Sequence, residues 1–446
     1  MGKPSDVINR LEDGWKNPTR TFRPHTRWWW PGNALTKDDI TWQLEQMASQ
    51  GIGGVEIMNA WEMYEKGNIP YLSKEYFDLV RHAVAEAACL DMEVAITFSP
   101  GWSFGGPWVA KEDQSKALTI ASSDIAEGSP SLIELPMPVT EESRKKSDEP
   151  SGEPLKLLAV VAYKIIEENL LDAESAIVLT DSVRADGEKL EWKVPEGTWR
   201  IMVFRLIYTG QICQAQNCKP PATVIDHFDS GAVWRYCENL GGALHKELGK
   251  EFGRTIDSLF CDSFEIFSPA NSILWSLDTL DAFHKHAGYD LTRYLPALWY
   301  DIGPLTPRIR YDFGEFMSTL GIETFYKPFT RWCDNHGVQA RIQPHYRFPT
   351  EIVEAAGKTE RPETELTTAR FEPIADPRKA TASGARFYGR GIFSAEAYTF
   401  IYNTRYRTDL QDLKIATDAF LRDGVTQLYN HGYLASPEPH VAPTRD

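Results

Sequence analysis

No run in the 446-residue chain is long and apolar enough to suggest a membrane-spanning helix, and no basic-then-apolar leader opens it. Basic tracts are also missing. Asp and Glu outnumber Lys and Arg by 63 to 47, a net charge of −16. A chain of that sign is a poor match for nucleic acid or an anionic membrane. Cysteines are few and scattered, at Cys89, Cys213, Cys218, Cys237, Cys261 and Cys333. Cys213 and Cys218 could form a local bridge or half a metal site, but no second Cys/His pair follows at zinc spacing, so free or structural thiols are expected. The chain has no Gly-x-Ser-x-Gly elbow, no phosphate loop and no His-x-His closing a first strand. These absences set aside a serine nucleophile, a nucleotide site and an amidohydrolase-type metal centre. As written, the chain is expected to stay in the cytoplasm, or to be secreted or periplasmic if a segment precedes it. Its oligomeric state is not indicated.

What the chain has in quantity is apolar and aromatic mass. Hydrophobic residues make up 42% of it, with 14 Trp, 18 Tyr and 21 Phe. That is enough to fill one large α/β core with an inserted module, and a surplus of Trp suits stacking against sugar rings.

Strands and helices alternate. Thr26 to Trp30 predicts a first strand, stopped by Pro31-Gly32. Thr36 and Asp39 form a variant capping box for a helix with the stripe Ile40, Leu44, Met47. Val55 to Met58, a helix from Ser73 to Cys89, and a strand from Met92 to Phe98 follow. This rhythm signals a parallel (β/α)8 TIM barrel. It breaks between 117 and 218, where Leu155 to Ile165, Ala176 to Leu179 and Trp199 to Leu206 suggest a β-rich insertion after strand three. The polar tract 140–154 is too poor in apolar residues to order itself. A helix from Asp226 to Gly249 resumes the rhythm. Strands four to eight are expected at 258–265, 338–343, 359–366, 391–396 and 426–429, with helices at 277–287, 313–335 and 412–422. The barrel parts are thus 1–116 and 219–446. Only a Pro-rich stretch, Gly432 to Asp446, follows the eighth strand, so the closing helix is expected to be missing.

Several of these strands end in acids, which is how such a barrel presents catalytic groups at its C-terminal rim. Asp262 and Glu265 close strand four, and burying either carboxylate alone would be costly. Glu396 closes strand seven among small and apolar residues, a setting that suits acid/base work; a rim ion pair with Arg390 is the alternative. Glu363 and Glu365 lie on one side of strand six and repel each other unless a cation such as Ca²⁺ sits between them or Arg361 pairs with them. Gln343 and His345 after strand five, and Asn430 and His431 after strand eight, offer neutral partners to sugar hydroxyls. The Gly/Pro-dense loop from Pro100 to Trp108 presents Trp102 and Phe104. Of Trp28-Trp29-Trp30, alternation lets only part face the lumen.

Several of these segments, in this order, resemble the α-L-rhamnosidases of glycoside hydrolase family 106. They are Arg27-Trp28-Trp29-Trp30-Pro31-Gly32, Gly51-Ile52-Gly53-Gly54-Val55-Glu56, Pro100 to Val109, Asp262-Ser263-Phe264-Glu265, Tyr289-Asp290-Leu291, Arg310-Tyr311-Asp312-Phe313 and Pro362-Glu363-Thr364-Glu365. The resemblance implies a (β/α)8 catalytic domain, an inverting mechanism and a calcium ion that helps hold rhamnose. It implies Glu265 as acid, Glu396 as base, and the Glu363/Glu365 segment as the calcium region. The family's usual export signal and trailing β-sandwich domains are not seen. The expected activity is release of a terminal α-L-rhamnosyl group from a plant-type glycan or glycoside. Inversion requires the two carboxyls to stand roughly 6.5–9.5 Å apart to admit a water. The alternatives are a non-catalytic carbohydrate-binding remnant of such an enzyme and a TIM-barrel glycosidase of other sugar specificity.

Overall fold

The computed structural model describes residues 11–137, 153–365, 377–400 and 408–436. Eight parallel strands close into a barrel: β1 (His25–Pro31), β2 (Gly54–Ala60), β3 (Glu93–Thr97), β7 (Ile256–Cys261), β9 (Gln339–Ile342), β10 (Arg361–Glu365), β11 (Ser394–Ala397) and β12 (Gln427–Leu434). They pair around the ring in chain order, β12 returning to β1. The expected (β/α)8 barrel is therefore the observed fold.

The helices start and stop where the chain supplies caps. For α1 (Lys37–Ser49), Thr36 and Asp39 form the reciprocal capping box. For α2 (Lys74–Cys89), the Ser73 hydroxyl accepts from the Tyr76 amide. Helix α3 (Ser230–Tyr236) begins four residues later than the sequence suggests, because the Asp229 side chain takes the amides of Gly231 and Ala232. It continues through a π turn into α4 (Gly242–Leu248). Helix α5 (Thr279–Ala287) stops at Gly288, whose φ of 79° is left-handed. The long helix expected at 313–335 begins earlier: α6 (Thr306–Gly321) has Pro307 in its first turn, and a π turn leads into α7 (Lys327–Asn335). Then come α8 (Ile352–Gly357), α9 (Pro377–Phe387) and α10 (Leu410–Asp423).

Between β3 and β7 the chain forms a mainly antiparallel sheet from β4 (Lys116–Ala126), β5 (Glu153–Glu167) and β6 (Thr198–Tyr208). A strand from outside 117–218 completes one edge: β8 (Ser272–Trp275) pairs with β4 after barrel strand four has been laid down. Apart from Glu153 and Pro154, which start β5, the tract 140–154 lies outside the described residues, as does 437–446, where a closing helix was not expected.

The largest apolar cluster fills the space between barrel and helices. Trp28 and Trp30 point outward into it with Ile57, Val80 and Ile96. Trp29 points the other way, against Met58, Ala60, Trp61 and Trp102. The tryptophan triplet therefore alternates as the pleat requires. The lumen itself holds ionised groups where branched aliphatic residues are usual.

Candidate active site

Three alternate residues of β1 line the lumen: His25, Arg27 and Trp29. Arg27 is only 3% exposed. Its guanidinium reaches carboxylates from three strands or strand ends: Glu56 on β2 at 3.2 Å, Asp262 past β7 at 3.2 Å and Glu396 on β11 at 2.9 Å. A second fully buried guanidinium, Arg341 on β9, pairs with Glu56 and with Glu363 at 3.1 Å. It lies between the Phe260 and Tyr429 rings, 4.0 and 3.6 Å from their centroids. Gln343, one pleat further along, donates to Glu363 at 3.2 Å and to Glu396 at 2.8 Å.

Glu396 is firmly held. Its Oε2 accepts from Arg27 and Gln343, its Oε1 accepts from the Thr399 hydroxyl at 2.9 Å, and the His431 ring stands 3.6 Å away. Burial alone would raise its pKa, but the charges of Arg27 and His431 and these hydrogen bonds outweigh burial and keep it below the usual carboxylate range.

Glu365 faces Glu396 across the paired strands β10 and β11. Burial, and then the charges of Glu396 and Asp262, push its carboxyl well above its ordinary range, against the opposing pull of Arg27. Asp262 is pushed up to about 8, again by burial first, with Arg27 opposing and Glu396 and Glu56 adding to the rise. This cluster therefore pulls Glu396 below its ordinary range while pushing Glu365 and Asp262 above theirs, a divergence of the kind that acid/base pairs need.

Glu265 lies three residues beyond Asp262. The sequence predicts strand four as far as Glu265, yet β7 ends at Cys261: Glu265 has φ of 39°, a left-handed conformation that no strand can continue. Its Oε2 accepts from Gln214 Nε2 at 2.7 Å and Trp102 Nε1 at 3.3 Å, and its Oε1 from the Ser263 hydroxyl at 3.2 Å.

The other expected residues divide. His345 is buried, and neither ring nitrogen has a hydrogen-bond partner among the described residues. Burial lowers its pKa to about 4, against the opposing charge of Glu396, so it is a neutral imidazole suited to a hydroxyl group. His431 reaches the cluster, while its backbone carbonyl accepts from Trp29 Nε1 at 2.9 Å. Gln343 is not a sugar donor, because its amide N–H groups bind Glu363 and Glu396; its buried Oε1 is without a partner among the described residues. Asn430 is also displaced from its expected role. Strand β12 runs on to Leu434, so Asn430 lies within it, and alternation turns it away from the lumen side shared by Tyr429 and His431. Neither suggested arginine is the partner of these acids: Arg390 donates to the Gly357 carbonyl, and Arg361 pairs with Asp257.

Sequence reasoning missed Arg27, Glu56, Arg341 and Gln214. Arg27 and Glu56 both sit at alternate positions of a recognised strand, so the pleat alone places them in the lumen. Gln214 lies in the return from the inserted sheet and gives no such signal.

Of the two expected calcium ligands, Glu363 already has protein partners. Both Glu363 oxygens are engaged, Oε1 by Gln343 and Oε2 by Ser394 at 2.7 Å and by Arg341. Among the described residues, no group of three or more His, Cys, Asp or Glu side chains is placed to hold a metal ion. All six cysteines are free. No helix of the described residues is long and apolar enough to cross a membrane.

A family model described as alpha-L-rhamnosidase, glycoside hydrolase family 106, matches residues 16–154 and 155–444. A protein of Formosa agariphila bearing the name "Putative beta-glucuronidase" is 25% identical over 454 residues, covering 96% of this chain and 38% of that protein. The structure of a rhamnosidase from Novosphingobium sp. PP1Y superposes with a TM-score of 0.70 at 19% identity, covering 96% of this chain and 56% of that one. The chain thus spans little more than a third to just over half the length of these relatives.

Proposed function

The chain belongs to the α-L-rhamnosidase family of glycoside hydrolases whose model spans it, and from that premise we propose that it hydrolyses a terminal α-L-rhamnosyl linkage in a glycan or glycoside with inversion at the anomeric carbon. The observation that carries the reading is the facing of Glu365 and Glu396 on paired strands at the C-terminal mouth of the barrel, with Arg27 bonded to Glu396. Glu365, whose carboxyl is pushed above its ordinary range by burial and by neighbouring acids, donates its proton to the departing glycosidic oxygen. Glu265, whose Oε2 is occupied by two N–H donors, draws a proton from the attacking water through Oε1. Both glutamates were expected at the site in other roles: the sequence resemblance makes Glu265 the acid and Glu396 the base, and places Glu365 in the calcium region. With Arg27, Gln343 and Thr399 on its oxygens, Glu396 is better suited as a fixed anion that stabilises positive charge developing on the sugar. His345 binds a sugar hydroxyl, and Trp29 and Trp61, which lie against one another, offer apolar faces to the ring. Calcium assistance belongs to this reading only if ligands lie outside the described residues, so no step is written through it.

The name of the Formosa agariphila relative raises a second substrate, a glucuronide. The described mouth disfavours it: Asp262, Glu265, Glu365 and Glu396 crowd there, and Arg27 is already shared among three carboxylates. A glucuronate would add another anion beside the carboxylate of Glu396.

The test is hydrolysis of 4-nitrophenyl α-L-rhamnoside, followed by proton NMR of the first sugar released. The expected first product is β-rhamnose. Glu365→Gln should lower kcat by roughly 10²–10⁴-fold on a rhamnoside with a poor leaving group, and much less on the nitrophenyl substrate, whose departure needs little protonation. An equal loss on both would remove Glu365 as the acid, and α-rhamnose as first product would overturn inversion.

A further inference from the structure

The inserted sheet returns to the barrel through residues 209–224, and this return is built against the loop that carries Trp102. The two run side by side. The Gln214 amide donates to the Trp102 carbonyl at 2.8 Å and the Trp102 amide to the Gln214 carbonyl at 3.2 Å, while within the return the Cys213 amide donates to the Ala222 carbonyl at 2.8 Å. The glycines of the Trp102 loop are where they must be for this approach. A Cβ at Gly101 would stand 1.9 Å from the Gln214 carbonyl oxygen, and one at Gly105 would stand 2.4 Å from that of Thr223. The loop is thus shaped for a protein segment as much as for a sugar.

What the segment delivers is two glutamines aimed at one residue. Gln211, 6% exposed, brackets the backbone around Glu265: its Nε2 donates to the Glu265 carbonyl at 2.8 Å and its Oε1 accepts from the Phe267 amide at 2.8 Å. Gln214 donates to Glu265 Oε2 at 2.7 Å. The backbone at Glu265 is left-handed, a conformation that persists only where its surroundings hold it.

We propose that the inserted sheet completes the active site, with Gln214 and Gln211 acting as positioning residues that fix the Glu265 carboxylate, Gln214 by occupying Oε2 and Gln211 by clamping the backbone. The inference rests on the proposed role of Glu265. Neither glutamine needs to touch the sugar. Each sets the direction in which Oε1, which among the described residues accepts only from the Ser263 hydroxyl, faces the attacking water, and a misplacement of about 1 Å there costs on the order of a hundredfold in rate.

The experiment uses the full chain and 4-nitrophenyl α-L-rhamnoside, comparing Gln214→Met, which keeps length and loses the donor, with Gln214→Glu, which keeps size and polarity but opposes one carboxylate with another. Thermal unfolding of each variant is followed in parallel. Both should lose roughly ten- to a hundredfold in kcat, the equivalent of one hydrogen bond to a charged group, with KM within about threefold of the parent, the pattern of an interaction needed in the transition state. In a Glu265→Gln background, Gln214→Met should cost less than about twofold more, since residues acting through one group are not additive. A rise in KM at unchanged kcat, near-parental activity of Gln214→Glu, or the full loss repeated in the Glu265→Gln background would overturn the proposal. If Glu265→Gln alone kept parental activity, the proposed function would fail first, and the positioning role with it.

Discussion

Replacing Arg27 by methionine removes the guanidinium shared by Glu56, Asp262 and Glu396 while keeping most of its apolar length. The three carboxylates are not left equally exposed to the loss. Glu56 keeps Arg341 and the Thr97 hydroxyl. Asp262, already pushed up to about 8, holds a proton at little cost. Glu396 bears most of the loss, since the charge of Arg27 is the largest influence that holds it below its usual range against burial. Forcing a glutamate to carry a proton at pH 7, from an ordinary pKa near 4.3, costs about 4 kcal/mol at 1.36 kcal/mol per unit. Removing one partner of a buried ion pair costs a similar ~3–5 kcal/mol. The sign of the pH dependence follows. A depressed carboxylate contributes stability above its unfolded pKa and loses it as pH falls through the folded value. The difference between parent and variant should therefore be complete at pH 7 and shrink towards pH 4. Urea unfolding followed by tryptophan fluorescence at both pH values measures it. Arg27→Lys, with its charge but without the fork, should fall between the two. A loss under about 1 kcal/mol at pH 7, or one of equal size at pH 4, would refute this account of the lumen.

Glu363→Gln, which leaves Arg341 with Glu56 as its remaining partner, should cost about 1–3 kcal/mol of stability, to the same extent in calcium and in chelator; a loss seen only with calcium present would restore Glu363 as a calcium ligand. A panel of 4-nitrophenyl glycosides should show cleavage of the α-L-rhamnoside and none of the β-glucuronide, and the reverse order would overturn the reading of the acidic mouth.

Most of the eight strands were legible because they carry an apolar run bounded by Gly, Pro or a cap, and such patterning is local; β10, Arg361–Glu365, carries none and was placed by the strand–helix rhythm. Ionised residues in the lumen did not obscure β1, since Arg27 occupies the side opposite Trp28 and Trp30. Strand ends were less legible. Asp262 and Glu265 look continuous with β7, and only the left-handed φ at Glu265 separates the rim from the strand. Asn430 and His431 look like a terminus, but pairing with β1 carries β12 on to Leu434. Partners were the hardest to read, because 369 residues separate Arg27 from Glu396, and 51 separate Gln214 from Glu265. No local period encodes which acid finds a guanidinium. That choice is made by closure of the barrel and by the inserted sheet, both long-range events.

The lumen poses a question of stability. Barrels are usually filled with branched aliphatic residues, and well-packed apolar groups are often as stable as a buried ion pair or more so. Yet here Arg27, Glu56, Arg341 and Glu363 alternate in sign across β1, β2, β9 and β10, each buried. Stability alone does not explain that choice, but the mouth does. Glu365 and Glu396 stand opposite each other on paired strands, and Arg27 bonds only Glu396. Two carboxyls in nearly one environment are thereby set apart, one pulled below its ordinary range and the other pushed above its own. An apolar lumen would leave both in the same protonation state, and neither the anion nor the acid would then be assigned to a particular strand.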